Sequence, residues 1–432
     1  MASTLTAEQQ RRNLESLDKV WSTVRDRYWD PTLGGVDWNA AKQVALPKVR
    51  TARSMAEVRA ALREMVEKLG KSHFAILPSE LYEGLETDAT KRASPGNTRD
   101  GSIARAAQPS AADEECAVGI EAEVVDGKAL VTSVEAGSPA ALAGIRMGWE
   151  IVSVEGTPMA PLISALAGIR LREHYEQTFL RGIFEGPLPE AVQAVFSDGA
   201  GNVHNRTLSR ATPKGNLAKL GYTPATRVWL DASQLALPGD AGTVGYVRFN
   251  EFMDPEHLMP AFQKAVRECL RCKGFIIDLR GNPGGLGAMS LGMAGWFVSK
   301  RSRRLGTMKE REGDQDFTVN PRPETFEGPL AILVNGGSAS TSEILAAGMQ
   351  DLGRARVFGT RTAGAALPSQ FILLPNGDGF QYAEANYISR GGKVLEGEGV
   401  TPDVTVKHTR ESLLAERDAF IDAAMSWLQT AK

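Results

Sequence analysis

Two nearly continuous apolar runs, Phe275-Ile276-Ile277-Asp278-Leu279 and Leu330-Ala331-Ile332-Leu333-Val334, constrain this chain more than any other feature. A strand with one wet face alternates polar and apolar residues, whereas a strand apolar throughout is covered on both faces, the habit of parallel sheets. Parallel neighbours need a crossover, and Leu286 to Val298 reads as the helix that supplies it. Shorter β-like runs near 243–249, 356–359, 371–375, 379–387 and 403–406 extend the pattern, so residues 239–432 are expected to form an α/β domain.

The remainder divides by texture. Residues 1–90 read as a helical region. Thr6 is placed to cap a helix bearing Leu14, Leu17, Trp21, Val24 and Tyr28 on one face, and Val58, Ala61, Leu62, Met65 and Leu69 repeat the helical spacing before Gly70. Residues 91–112 have the aperiodic Ala/Ser/Arg/Gly composition of a linker. From 113 to 212 short β-like runs take over, and 213–238 reads as a second linker. The fold class is therefore α/β multidomain, with a helical N-terminal region, a β-rich middle and an α/β C-terminal domain.

Composition excludes several functions. With 49 basic against 52 acidic residues in 432, the chain has no electrostatic bias toward nucleic acid. No apolar run approaches the roughly 18–20 residues of a membrane span. The first residues lack the unbroken apolar centre of a signal peptide, although a trimmed leader would leave the same appearance. Three cysteines cannot form a disulfide framework, and the pair Cys269 and Cys272 ends a helix expected from Pro255, with no second pair for zinc. Cys116 lies beside Asp113, Glu114 and Glu115, a poor setting for a thiolate nucleophile. No metal-ligand motif occurs, and no cofactor or metal is expected.

The chemistry should lie at the carboxyl ends of the parallel strands, where open α/β sheets bind ligands. One run ends in Asp278-Leu279-Arg280-Gly281-Asn282-Pro283-Gly284-Gly285, which can present unobstructed backbone N–H groups to an oxyanion. The other ends in Asn335-Gly336-Gly337-Ser338-Ala339-Ser340-Thr341-Ser342-Glu343 before a helix, and a serine there sits where the helix dipole favours negative charge. From the residues alone the favoured reading is three serines competing to cap an ordinary helix.

Together the two loops, D-L-R-x-N-x-G-G followed by V-N-x-x-S-A-S-x-S-E-I, resemble the tail-specific or C-terminal processing serine peptidases. The middle region agrees in order. Its Gly137-Ser138-Pro139-Ala140 run, continuing to Gly144-Ile145 and to Ile151-Val152-Ser153-Val154-Glu155-Gly156, resembles a PDZ domain with an insertion near 160–190 and with Trp149 where an Asp is common. The resemblance implies a ClpP/crotonase-like catalytic domain, with Ser340 as nucleophile and the N–H groups of Gly285, or the adjacent Gly284, and of Thr341 as oxyanion donors. It also implies peptide capture by β-augmentation, with Val118, Gly119 and Ile120 as the carboxylate loop.

A serine needs a base. In one branch of the family this is a lysine 25 residues after the serine, where the present chain has Ala365 (365 − 340 = 25) in Thr362-Ala363-Gly364-Ala365. The tricorn-like branch uses histidine and glutamate instead, in contexts matched by Leu69-Gly70-Lys71-Ser72-His73 and by Glu396-Gly397-Glu398-Gly399-Val400-Thr401-Pro402-Asp403. The resemblance then makes His73 the general base and Glu396, preferred over Glu398, the acceptor of the other ring N–H. Glu343 is read as stabilising its helix N-terminus, and His174, His204, His257 and His408 as titrating in solvent.

The leading expectation is a serine endopeptidase acting on unfolded or extended polypeptide. A serine hydrolase of other esters or amides, or a catalytically silent peptide-binding scaffold, are the alternatives. No nucleic-acid partner or membrane span is expected, and the oligomeric state stays open, a homo-oligomer included. The resemblance favours a periplasmic or secreted location if a leader was removed, and a cytoplasmic one otherwise.

Overall fold

The computed structural model describes residues 5–79, 116–166, 172–186, 191–219 and 225–431; the expected linker 91–112 lies outside them. At the centre is a six-stranded sheet in the order β10-β11-β12-β15-β16-β20. Its strands are β10 (Leu230–Ala236), β11 (Thr243–Phe249), β12 (Gly274–Asp278), β15 (Leu330–Val334), β16 (Ala355–Gly359) and β20 (Val404–Thr405). All neighbours are parallel except β10 with β11. Successive residues of the apolar runs point to opposite faces, as strand geometry requires. Phe275 and Ile277 pack in one core with Phe262 of α7 (Pro255–Glu268), Met293 of α8 (Gly287–Ala294) and Leu345 of α9 (Thr341–Asp351). Ile276, Ala331 and Leu333 face the other way, onto Phe420, Ala424 and Leu428 of α11 (Ala419–Thr430). A further short helix, α10 (Arg410–Leu414), precedes α11.

The helical region is not a separate body. Helices α1 (Ala7–Arg27), α2 (Trp38–Thr51) and α3 (Met55–Glu67) share a core with Leu367, Leu374, Phe380 and Tyr382, on or beside the hairpin β17 (Ser369–Leu373) and β18 (Gly379–Ala383). Strand β1 (Ala75–Leu77), two residues beyond His73, pairs antiparallel with β18, and a buried Arg59–Asp378 ion pair of 2.8 Å closes the same seam. The 379–387 run, read as one strand, breaks after Ala383: β18 joins this small sheet, while β19 (Ala385–Ser389) joins β13 (Arg303–Glu310) and β14 (Asp314–Val319).

The middle unit is a five-stranded sheet in the order β2-β3-β4-β6-β7. Its strands are β2 (Ile120–Val125), β3 (Lys128–Val134), β4 (Glu150–Val154), β6 (Ala191–Ser197) and β7 (Val203–Ser209), with β5 (Thr157–Pro158) beside β4. Three helices accompany it, α4 (Pro139–Leu142), α5 (Met159–Leu166) and α6 (Arg172–Gly182). Strand β2 is at the edge.

Residues 213–238, expected to be a linker, instead hold β8 (Asn216–Ala218), β9 (Thr226–Val228) and β10. β10 pairs with β11 along seven residues but exposes most of its side chains, among them Asp231, Ser233 and Gln234, so an edge strand carries no apolar signature. Cys269 and Cys272 are joined in a disulfide at the end of α7, and Cys116 is buried.

Candidate active site

The loops after β12 and β15 are stitched together by side chains placed at the strand ends. Asn335 Oδ1 accepts the N–H groups of Gly281 (2.8 Å) and Gly337 (3.1 Å), and Asn282 O accepts the N–H of Ala339 (3.0 Å). Asp278 accepts from Arg280, which also pairs with Asp418 at 2.8 Å. Burial works to raise the Asp278 carboxyl, but the Arg280 charge and hydrogen bonds overcome it and hold the group at about 2.

The structure distinguishes the three serines. Ser338 and Ser342 have no accessible surface, and their hydroxyls donate to Leu279 O (2.7 Å) and Asn282 O (2.9 Å). Ser340 is half-buried and stands before α9 with φ 54° and ψ −116°, a conformation unusual for an L residue. Gly284 leaves it room, and Gly285 lies against Phe252. A Cβ on Gly284 (φ 101°) would lie 2.7 Å from Ser340 Cβ and 2.8 Å from Thr341 N, and one on Gly285 (φ 132°) 2.3 Å from Phe252 O. Of the two expected donors on this loop, Gly284 N–H is already given to Asn282 Oδ1 at 3.0 Å, which leaves Gly285. Thr341 is tied to the same loop by its hydroxyl, which donates to Gly285 O at 2.7 Å.

His73 has φ 60° and is half-buried at the end of the helical region, held there by the β1–β18 pairing. Ser72 stands between Glu396 and the ring, where a direct bond had been expected. Ser72 N–H donates to Glu396 Oε1 (2.9 Å), Ser72 O–H donates to Glu396 Oε2 (2.7 Å), and Ser72 Oγ lies 2.7 Å from His73 Nδ1. Since the Ser72 hydrogen is spent on Glu396, its oxygen must accept from Nδ1–H, an assignment made from the network, and Nε2 keeps its lone pair. Burial pushes His73 down to about 4, against the opposing pull of Glu396, so the ring is neutral at pH 7. The two halves of the site meet at residues 365–366: Ser340 N–H donates to Ala365 O (2.8 Å) and Ala366 N–H to Glu396 Oε2 (3.3 Å).

Three histidines expected in solvent are not there: His204 is half-buried, stacked on Trp149 and 3.0 Å from Asp198. His408 is 5% exposed, packs at a tilt against Phe420 and is pushed down to about 4 by burial. His174 of α6 has a buried Nδ1 and adds to the depression of His73. Val118 is buried, and Gly119 (φ 82°) approaches Ser138 so closely that a Cβ would lie 2.2 Å from Ser138 Cβ. Gly119 and Ile120 border a cavity of about 570 Å³ that reaches Arg181, Arg248, Arg280 and Gly281. Among the described residues no cluster of His, Cys, Asp or Glu could hold a metal ion. Sequence reasoning missed the part played by Ser72, whose signal was only its place beside His73.

Residues 243–406 match peptidase family S41, and residues 10–67 match the C1 domain of tricorn protease. Residues 243–406 are thus a peptidase family S41 domain. It is 27% identical over 404 residues to carboxyl-terminal-processing peptidase 3, chloroplastic, of Arabidopsis thaliana, covering 90% of this chain and 68% of that one. It is 27% identical over 403 residues to the carboxyl-terminal-processing protease of Synechocystis, covering 93% and 81%. Among solved structures, the photosystem II D1 C-terminal processing protease aligns with a TM-score of 0.58 at 24% identity, over 99% of this chain and 98% of that one. Mature CPAF aligns at 0.63 and 14%, over 98% and 97%. The chain is thus a serine peptidase with the fold of the C-terminal processing enzymes. No helix among its described residues is long and apolar enough to cross a membrane.

Proposed function

We propose that this peptidase is an endopeptidase that cleaves extended polypeptide through an acyl-enzyme, with Ser340 as nucleophile, His73 as base and acid, and Glu396 acting on His73 through Ser72. The observation that carries the reading is the hydrogen-bonded line from Glu396 through Ser72 to His73 Nδ1. It fixes the ring with Nε2 free to take a proton, in a chain whose lysine position holds Ala365.

As Ser340 Oγ attacks the scissile carbonyl, Nε2 accepts its proton, and the positive ring donates Nδ1–H to Ser72, which is polarised by Glu396. The oxyanion is met by the N–H groups of Gly285 and Thr341. Collapse breaks the C–N bond while His73 protonates the leaving amine. A water deprotonated by His73 then attacks the acyl-enzyme and frees Ser340.

The β-rich unit, 113–212, is read as PDZ-like, with Val118, Gly119 and Ile120 receiving a peptide carboxylate and the edge of β2 receiving the strand. Support comes from the edge position of β2 and from the cavity that runs from Gly119 to Gly281.

Labelling with a fluorophosphonate, and cleavage of a denatured protein, test the reading. Labelling is expected to vanish in Ser340→Ala and cleavage in His73→Ala. Full labelling and turnover in Ser340→Ala would refute the nucleophile. Labelling without cleavage of any polypeptide would favour the non-peptidase hydrolase, and neither activity in the wild type would favour the silent scaffold.

A further inference from the structure

Glu343 lies on the first turn of α9, three residues after Ser340, with no accessible surface. A carboxylate is not buried without compensation, and four donors converge on this one. Its Oε2 accepts the N–H groups of Ser340 and Ala365, each at 3.0 Å. Its Oε1 accepts Gly364 N–H at 2.8 Å and the Thr362 hydroxyl at 2.6 Å. Three of these donors are backbone amides, which cannot reverse and accept, so the site demands acceptors on both oxygens. Thr362 is itself fixed, because its oxygen accepts Val400 N–H at 2.6 Å. The arrangement goes well beyond capping a helix.

What the carboxylate grips is the strained residue. Ser340 at φ 54° persists only where its surroundings over-determine it, and its N–H is shared between Glu343 Oε2 and Ala365 O. Ala365 is pinned to the same carboxylate through its own N–H, and the next residue, Ala366, is held by Glu396. Two carboxylates therefore brace adjacent residues of one loop, one from the nucleophile side and one from the base side.

We propose that the Glu343 anion is a positioning residue that holds Ser340 and the 362–366 loop in the reactive arrangement, so that its protonation loosens the loop and switches turnover off. The inference rests on Ser340 being the nucleophile. Burial pushes the Glu343 carboxyl up to about 7, against the opposing pull of its hydrogen bonds. The groups facing it are the Thr362 hydroxyl and the amides of Ser340, Gly364 and Ala365. Of the charged groups nearby, Arg361 is turned to the carbonyls of Gly397 and Glu398, and Glu396 is engaged by Ser72 and Ala366. His73, held at about 4, cannot produce an acid limb near neutrality. Glu251, on the loop after β11 and also pushed up to about 7 by burial, serves as the control; burial raises the Glu123 and Glu173 carboxyls as well.

The test is kcat and KM on a fluorogenic peptide from about pH 5 to 9, an interval that brackets the expected limb, for the wild type, Thr362→Val, Glu343→Gln and Glu251→Gln. Thr362→Val removes one hydrogen bond to the ionised form and is expected to move the acid limb of kcat upward by about one pH unit with KM unchanged. Glu343→Gln keeps the shape but turns an amide NH₂ toward backbone N–H donors; kcat is expected to fall about 100-fold at every pH and the limb to vanish. The limb should persist in Glu251→Gln. If Glu343→Gln does not fold, Thr362→Val decides alone. A limb unmoved in Thr362→Val, a limb lost in Glu251→Gln, or wild-type kcat in Glu343→Gln overturns the proposal. Turnover retained in Ser340→Ala would instead overturn the nucleophile assignment beneath it, a result read independently of any pH shift.

Discussion

Replacing Ser72 with alanine removes one oxygen atom from the line between Glu396 and His73 and leaves almost everything else in place. The main-chain N–H of residue 72 still donates to Glu396 Oε1, and Ala366 N–H still reaches Oε2. The loop should therefore hold its shape. What disappears is the acceptor for Nδ1–H at 2.7 Å, a bond between neutral groups in the resting enzyme that becomes charge-assisted once Nε2 has taken the serine proton. A hydrogen bond to a charged group contributes about 1.5–3 kcal/mol, which corresponds to a drop in kcat of about 10- to 150-fold. Because the bond strengthens only as charge develops, KM should not change. Initial rates on a fluorogenic peptide, with circular dichroism to verify the fold, read both quantities. A kcat within twofold of wild type would show that Ser72 does not carry the influence of Glu396, and a loss confined to KM would show that the bond serves substrate binding.

Asp378→Ala should remove the buried carboxylate that Arg59 Nε and Nη2 pair with, costing about 3–5 kcal/mol as such deletions do; a thermal melt reads the loss, and an unchanged Tm would show that the seam carrying His73 is held by other contacts. His408, at 5% exposure and held at about 4, is protonated more readily in the unfolded chain, so its contribution to stability is complete above about 6.5 and is lost as pH falls from there toward 4. His408→Leu should therefore gain stability relative to wild type across that interval, which melts at several pH values would measure; a constant difference would contradict the direction assigned to His408.

The α/β core was legible because burial on two faces leaves a mark that a single sequence displays: runs such as 275–279 and 330–334 admit few other structures. Caps were legible for a similar reason, since Thr6 accepts from Gln9 N–H in a purely local arrangement. Strand β10 was not. Most of its side chains face water, among them the polar Asp231, Ser233 and Gln234, and only the seven-residue pairing with β11 makes it a strand. The allegiance of the β17–β18 hairpin was equally hidden, because Phe380 and Tyr382 look alike whether they pack on the central sheet or on the N-terminal helices.

The site divides in the same way. Glycines at 284 and 285, small residues before α9, and a histidine following Leu69-Gly70 are written in the chain, because loop geometry and residue chemistry are local properties. Which serine stays accessible, that Ser72 intervenes between Glu396 and His73, and that Glu343 adds Thr362, Gly364 and Ala365 to its neighbour Ser340 rest on contacts between residues 19 to 324 positions apart. Local sequence sets which groups are available; their distances and protonation follow from burial and from long-range hydrogen bonds, which exist only once the helices, the hairpin and the central sheet have closed on one another.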